Sequence, residues 1–171
     1  MSKAVFMGRA GTIHNLQKDG VLNIGDFEIF SRVSEALNTL GQQGYFLAIV
    51  GSEKTVPGMD YPGLIWTIEQ HIAYQVGYPI AFKLCMHHSA KKCSCRLPKP
   101  GLIEQFRDEL DLDIGSSVMI ASREAEVKGA LSAGIENIIR VTTGKGQWTK
   151  KSEGYPIFDS LLEAVEHLSE N

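Results

Sequence analysis

Cysteine is scarce in this chain, with three residues in 171, at positions 85, 93 and 95. An odd set packed so closely makes a poor disulfide framework and suits a metal site instead. Excess charge of either sign is lacking too. Seventeen Lys and Arg stand against twenty Asp and Glu, a net −3, so nothing draws the chain generally to nucleic acid or to an anionic membrane. No apolar run is long enough to span a bilayer. The opening stretch, Met1 to Thr12, is too short and too soon interrupted to act as a signal peptide. The cytoplasm is therefore the expected location. Repeats, low-complexity tracts and dividing linkers are also missing, so residues 1–171 are expected to form one domain. What remains is a globular composition, 43% hydrophobic and 22% charged, in a length sufficient to bury a core.

Short apolar runs alternate with helical patterns. Ala4–Met7 reads as a buried strand ended by Gly8, and Phe46–Val50 as a second ended by Gly51. Ile80–Leu84, Ser117–Ile120 and Asn137–Val141 read as three more. Between them, Val33, Leu37 and Leu40 mark one apolar face of a helix over about 31–43. Leu64, Ile68 and Ile72 mark another over about 60–76. Leu102, Ile103, Phe106 and Leu110 mark a third, with further helices over 123–133 and 158–169. Such alternation predicts an α/β fold, a largely parallel sheet with helices on both faces. Ligands of such folds sit beyond the carboxyl ends of the strands. Here those ends are Gly8–Thr12, Gly51–Thr55, Cys85–Pro100 and Ala121–Glu126.

Cys85 and His87 stand two apart, as do Cys93 and Cys95, with five residues between the pairs. Three thiolates and an imidazole suit a closed tetrahedral zinc site, which leaves no position for a reactive water. Its role would be structural, since binding energy in a loop with little core becomes folding energy. The plainer reading is three buried thiols and a surface histidine, and His88 is an alternative to His87.

The loop and its place after the third strand resemble the histidinol-phosphate phosphatases and the related heptose-bisphosphate phosphatases, both of the haloacid dehalogenase superfamily. Their loop reads C-P-H…C-D-C-R-K-P; here it reads Cys85-Met86-His87…Cys93-Ser94-Cys95-Arg96-Leu97-Pro98. The resemblance covers roughly residues 3–148 and implies a three-layer Rossmann-like fold without a large cap domain. The short gap between the ligand pairs looks more like the histidinol-phosphate branch.

The resemblance also implies four catalytic motifs, and each departs from the pattern. The first, D-x-D-G-T, supplies a nucleophilic Asp and an acid/base Asp; here it is Gly8-Arg9-Ala10-Gly11-Thr12. The Thr or Ser after strand two falls on Gly51, with Ser52 beside it. The phosphate lysine falls on Leu97, with Arg96 and Lys99 nearby. The magnesium Asp falls on Ser122, and Glu126 stands where a second acidic residue is common.

Phosphoryl transfer depends on positioning and charge neutralisation, so these losses imply a catalytically degenerate protein, a pseudoenzyme, with magnesium unlikely. Such a protein would bind a phosphorylated small molecule or a protein partner through Arg9, Thr12, Ser52, Arg96, Lys99 and Arg123. The plainer reading of those residues is a vacant pocket with solvated charges. One alternative is an active phosphomonoester hydrolase, acting on histidinol phosphate or a sugar phosphate through relocated groups such as Glu53, Glu124, Glu126, Ser122 or His14. Another is a purely structural or assembly protein. Trp66 and Trp148 read as packing residues.

Overall fold

The computed structural model describes residues 2–15, 24–54, 60–88, 91–144 and 154–170. Along the chain it runs β1 (Ala4–Gly8), α1 (Val33–Gln42), β2 (Phe46–Ser52), α2 (Tyr61–Val76), β3 (Ala81–Cys85) and α3 (Gly101–Leu110). Then come β4 (Val118–Ala121), α4 (Glu124–Ala133), β5 (Asn137–Val141), β6 (Ile157–Phe158) and α5 (Leu161–Glu170). Trp148, Thr55 and Met59 lie outside the described residues.

The six strands form one parallel sheet in the order β3-β2-β1-β4-β5-β6. A parallel sheet needs both faces covered, and its central strands β1, β2 and β4 are accordingly almost wholly apolar. Alternate residues of β1 serve opposite faces. Val5 and Met7 pack with α1, α2 and α5, while Ala4 and Phe6 pack with α3 and α4. This is the three-layer α/β arrangement expected from the alternation of elements. Among the described residues no helix is long and apolar enough to cross a membrane.

Element ends shift for local reasons. Arg32 takes a left-handed φ of 62°, so α1 begins at Val33 instead of Ser31. Ser117 leaves the β4 ladder because its Oγ accepts from Ala4 N at 2.9 Å. Arg123 is extended (φ −135°, ψ 148°) and caps α4 instead of belonging to it. Residues 157–158 pair with β5 as a short edge strand that the apolar pattern did not show, so the last helix starts at Leu161. Its first turn is closed by Glu163 N donating to Ser160 Oγ at 3.2 Å.

The chain moves outward from β1 to β2 and β3, then returns to the other side of β1 at β4. A parallel α/β sheet opens a crevice where its strand order reverses. In this molecule that crevice lies past Gly8 and Ala121.

Candidate functional site

Two structures meet at the carboxyl ends of the strands. The first is the cysteine loop. β3 ends on buried Cys85, and the chain turns back through His87 to Cys93 and Cys95. The four ligand atoms lie within 4.8 Å of one another. Cys85 Sγ is 3.5 Å from His87 Nδ1, 3.7 Å from Cys93 Sγ and 3.2 Å from Cys95 Sγ. His87 Nδ1 is 3.1 Å from Cys95 Sγ. Metal–sulfur bonds of about 2.3 Å and metal–nitrogen bonds of about 2.0 Å require donors this close. The cysteines form no disulfide, and the four donor atoms together could hold a metal ion such as zinc. His87, and not His88, is the histidine whose ring lies in the cluster.

The loop is tied to its surroundings by its own polar groups. Arg96 Nη2 donates to the carbonyls of Glu53 and His87. Lys99 Nζ donates to the Cys93 carbonyl. Leu97 N donates to Ser52 Oγ at 2.9 Å, and Glu53 N donates to the Cys85 carbonyl at 2.9 Å.

The second structure is the crevice around residues 8–12. Gly8 is the last residue of β1, and a β-carbon there would lie 2.6 Å from Glu126 Oε2. The Glu126 carboxylate therefore fills the volume a side chain at residue 8 would need. Glu126 is fully buried. Its Oε2 accepts from Ser122 N at 2.9 Å and Arg123 N at 3.0 Å, and its Oε1 accepts from Arg123 Nε at 3.1 Å. Burial pushes the Glu126 carboxyl above its usual range, while Arg123 and the two amides pull it back only in part.

The turn after β1 packs equally closely. Gly11 has φ +90°, and a β-carbon there would lie 2.7 Å from Ser122 Oγ and 2.9 Å from Gly144 Cα. Only glycine meets both demands without strain. Thr143 Oγ1 donates to the Gly11 carbonyl at 2.7 Å. The Thr12 hydroxyl is buried and has no partner among the described residues.

Arg9 crosses from this turn to the end of β2. Its Nη2 and Nε donate to Glu53 Oε1 at 2.6 and 3.2 Å, and its Nη1 lies 2.6 Å from His14 Nε2. Burial first, then the Arg9 charge, holds His14 down to about 3. A neutral imidazole facing an arginine accepts through the nitrogen it presents, which assigns acceptance to Nε2.

The crevice thus gathers Gly8, Arg9, Ala10, Gly11, Thr12, Ser122, Arg123 and Glu126, with Glu53 and His14 beside them. The expected ligand-binding residues divide. Arg9, Ser52, Arg96 and Lys99 are engaged within the fold, while among the described residues the Arg123 side chain commits only its Nε. Gly51 is closely packed, a β-carbon there lying 3.0 Å from Leu84 Cδ2. Leu97 turns its backbone N–H to Ser52. Glu124 lies on the outer face of α4 in an ion pair with Lys128. Sequence reasoning missed the meeting of Glu126 with Gly8; its one signal was the acidic residue at position 126. Magnesium takes oxygen ligands at about 2.0–2.1 Å. Among the described residues, Glu53 Oε2 is the one carboxylate oxygen in the crevice without a committed partner.

No family model matches the chain. Named relatives match nearly all of it. A D-glycero-beta-D-manno-heptose-1,7-bisphosphate 7-phosphatase of Haemophilus influenzae is 28% identical over 176 residues, covering 96% of this chain and 94% of that protein. The protein of the same name in Photorhabdus laumondii is 30% identical over 154 residues, covering 83% and 81%. The crystal structure of the D,D-heptose 1.7-bisphosphate phosphatase of B. bronchiseptica, complexed with magnesium and phosphate, superimposes with a TM-score of 0.84. It is 19% identical and covers 98% of each chain.

Three expectations are corrected by these findings. The reading as a catalytically degenerate protein gives way, because the relatives that span the chain are named as phosphatases. The histidinol-phosphate branch gives way to the heptose branch for the same reason. The gap between two ligand pairs is a loop length, and loops change length more readily than cores do. The exclusion of magnesium loses its support, since the B. bronchiseptica structure is complexed with it.

Proposed function

The chain belongs to the heptose-bisphosphate phosphatase-like subgroup of the haloacid dehalogenase superfamily, and from that premise we propose that it hydrolyses a phosphomonoester of a phosphorylated sugar. The substrate class is that of the relatives, a heptose 1,7-bisphosphate. The observation that carries the reading is that relatives of one name match the chain over at least four fifths of both lengths. The crevice supports it by retaining buried carboxylates and cations at the strand ends.

Gly8 has no side chain to attack phosphorus, so the reaction must recruit groups from elsewhere in the crevice. Glu53 is the group suited to act as base. Arg9 grips its Oε1, and its Oε2 is left for a water. Glu53 takes a proton from that water as the water oxygen bonds to phosphorus. The phosphorus–oxygen bond to the sugar breaks, and the departing oxygen takes up a proton from solvent. In the same reading zinc is the metal of the cysteine loop, held by Cys85, His87, Cys93 and Cys95 as a structural ion.

The test is phosphate release from a heptose 1,7-bisphosphate by the purified chain, with and without Mg²⁺. Turnover should fall at least about a hundredfold in Glu53→Gln, the usual scale for an acid/base group. Glu53→Asp, which keeps a carboxylate, should recover part of it in protein of equal folded fraction. No release above the buffer rate, or release indifferent to Glu53→Gln, would sink the proposal.

A further inference from the structure

We propose that Arg123 is the phosphate-recognising group of the crevice, and that Glu126 is the residue that positions it from the volume left empty at Gly8. The proposal deepens the phosphorylated-sugar reading and rests on it.

The cations at this end of the sheet are unequal. Arg9 spends both terminal nitrogens on Glu53 and His14. Lys99 spends its ammonium on the Cys93 carbonyl, and Arg96 bridges two carbonyls through Nη2. Arg123 differs from Arg9 and Lys99 in keeping nitrogens uncommitted, and from Arg96, which also commits one nitrogen only, in being held by a buried carboxylate. Its Nε alone is committed, to Glu126 Oε1 at 3.1 Å, and its side chain is 37% exposed. Neither terminal nitrogen has a partner among the described residues. That fork is the geometry that binds a phosphate through two parallel N–H donors.

The anchor is unusually firm. Glu126 is 0% exposed, accepts the backbone N–H groups of Ser122 and Arg123, and lies against Gly8. A residue larger than glycine at position 8 would push the carboxylate away from Arg123 Nε. The loss of a side chain from β1 and the placement of a cation at the head of α4 are thus one arrangement. The turn after β1 adds the buried hydroxyl of Thr12, which has no partner among the described residues.

Inorganic phosphate is the probe, titrated calorimetrically into the metal-loaded full chain. Arg123→Ala should weaken phosphate about tenfold or more, the scale of one charge-assisted contact. Its thermal midpoint should fall, because the buried Glu126 carboxylate loses its charged partner, so the titration compares proteins of equal folded fraction. Glu126→Gln presents an amide to Arg123 Nε and should weaken phosphate severalfold. The double variant should be no weaker than Arg123→Ala, because Glu126 acts through Arg123; an additive loss would overturn the positioning role. If Glu126→Gln fails to fold, Arg123→Ala decides alone. Wild-type affinity retained in Arg123→Ala, or no phosphate binding by the wild type, would overturn the assignment. Arg123-dependent phosphate binding by a chain that releases no phosphate from sugar would leave this assignment standing and refute hydrolysis.

Discussion

Arg9 and Glu53 meet at 2.6 Å across the carboxyl ends of β1 and β2, with side chains 3% and 8% exposed. A pair so buried contributes little against a well-packed apolar replacement, but removing one partner strands the other charge away from water. Arg9→Met is therefore expected to cost about 3–5 kcal/mol of folding stability. Arg9→Met with Glu53→Leu should recover most of that. Urea denaturation of the three chains measures it, and an equal loss in the single and double variants would refute the stranded-charge account.

His14 ties the same pair to solution pH. Its folded value is about 3 against an ordinary 6.5, because burial and then Arg9 oppose the charged ring. Between those values the unfolded chain holds a proton that the folded chain refuses. Stability from His14 is thus complete above pH 6.5 and drains away as pH falls toward 3, at no more than about 1.4 kcal/mol per pH unit. In His14→Gln, which still offers Arg9 an acceptor, the fall of the urea midpoint between pH 7 and 4.5 should be shallower. Parallel curves for the two proteins would rule the mechanism out.

The cysteine loop should respond to metal. Cys93→Ser is expected to lower bound zinc below one per chain and to lower the thermal midpoint, because ligand binding here is folding energy. Elemental analysis with a thermal melt checks both. Complete loss of metal with an unmoved midpoint would contradict a structural role.

Gly8 and Glu126 should be energetically coupled. Gly8→Ala places a β-carbon against the Glu126 carboxylate and is expected to cost about 1–3 kcal/mol, the usual range for overpacking a filled site. In a Glu126→Ala background the same change should cost much less. A double-mutant cycle by chemical denaturation reads the coupling directly, and additive costs would show that the two residues do not compete for one volume.

The alternation of apolar runs and helical faces was enough to order the strands along the chain and to set five of them within a residue or so. Each depends on local burial, which leaves its mark in the local pattern. The edge strand at Ile157–Phe158 left none, because two half-exposed residues make no period. The metal ligands were legible for a related reason: Cys85, His87, Cys93 and Cys95 lie within one loop, where spacing along the chain is nearly spacing in space.

The degenerate reading was drawn from departures in four motifs, and a motif records the residue at a position and not what reaches that position from elsewhere. Glu126 stands more than a hundred residues from Gly8, and Arg9 stands 44 positions from Glu53. Nothing in local sequence links either pair. The sequence by itself determined the layered fold and the Cys/His cluster, because both follow from short-range chemistry. The tertiary structure alone decided which carboxylate occupies the place at the end of β1 and which arginine that carboxylate holds, because those depend on which distant side chains the parallel sheet brings to one end.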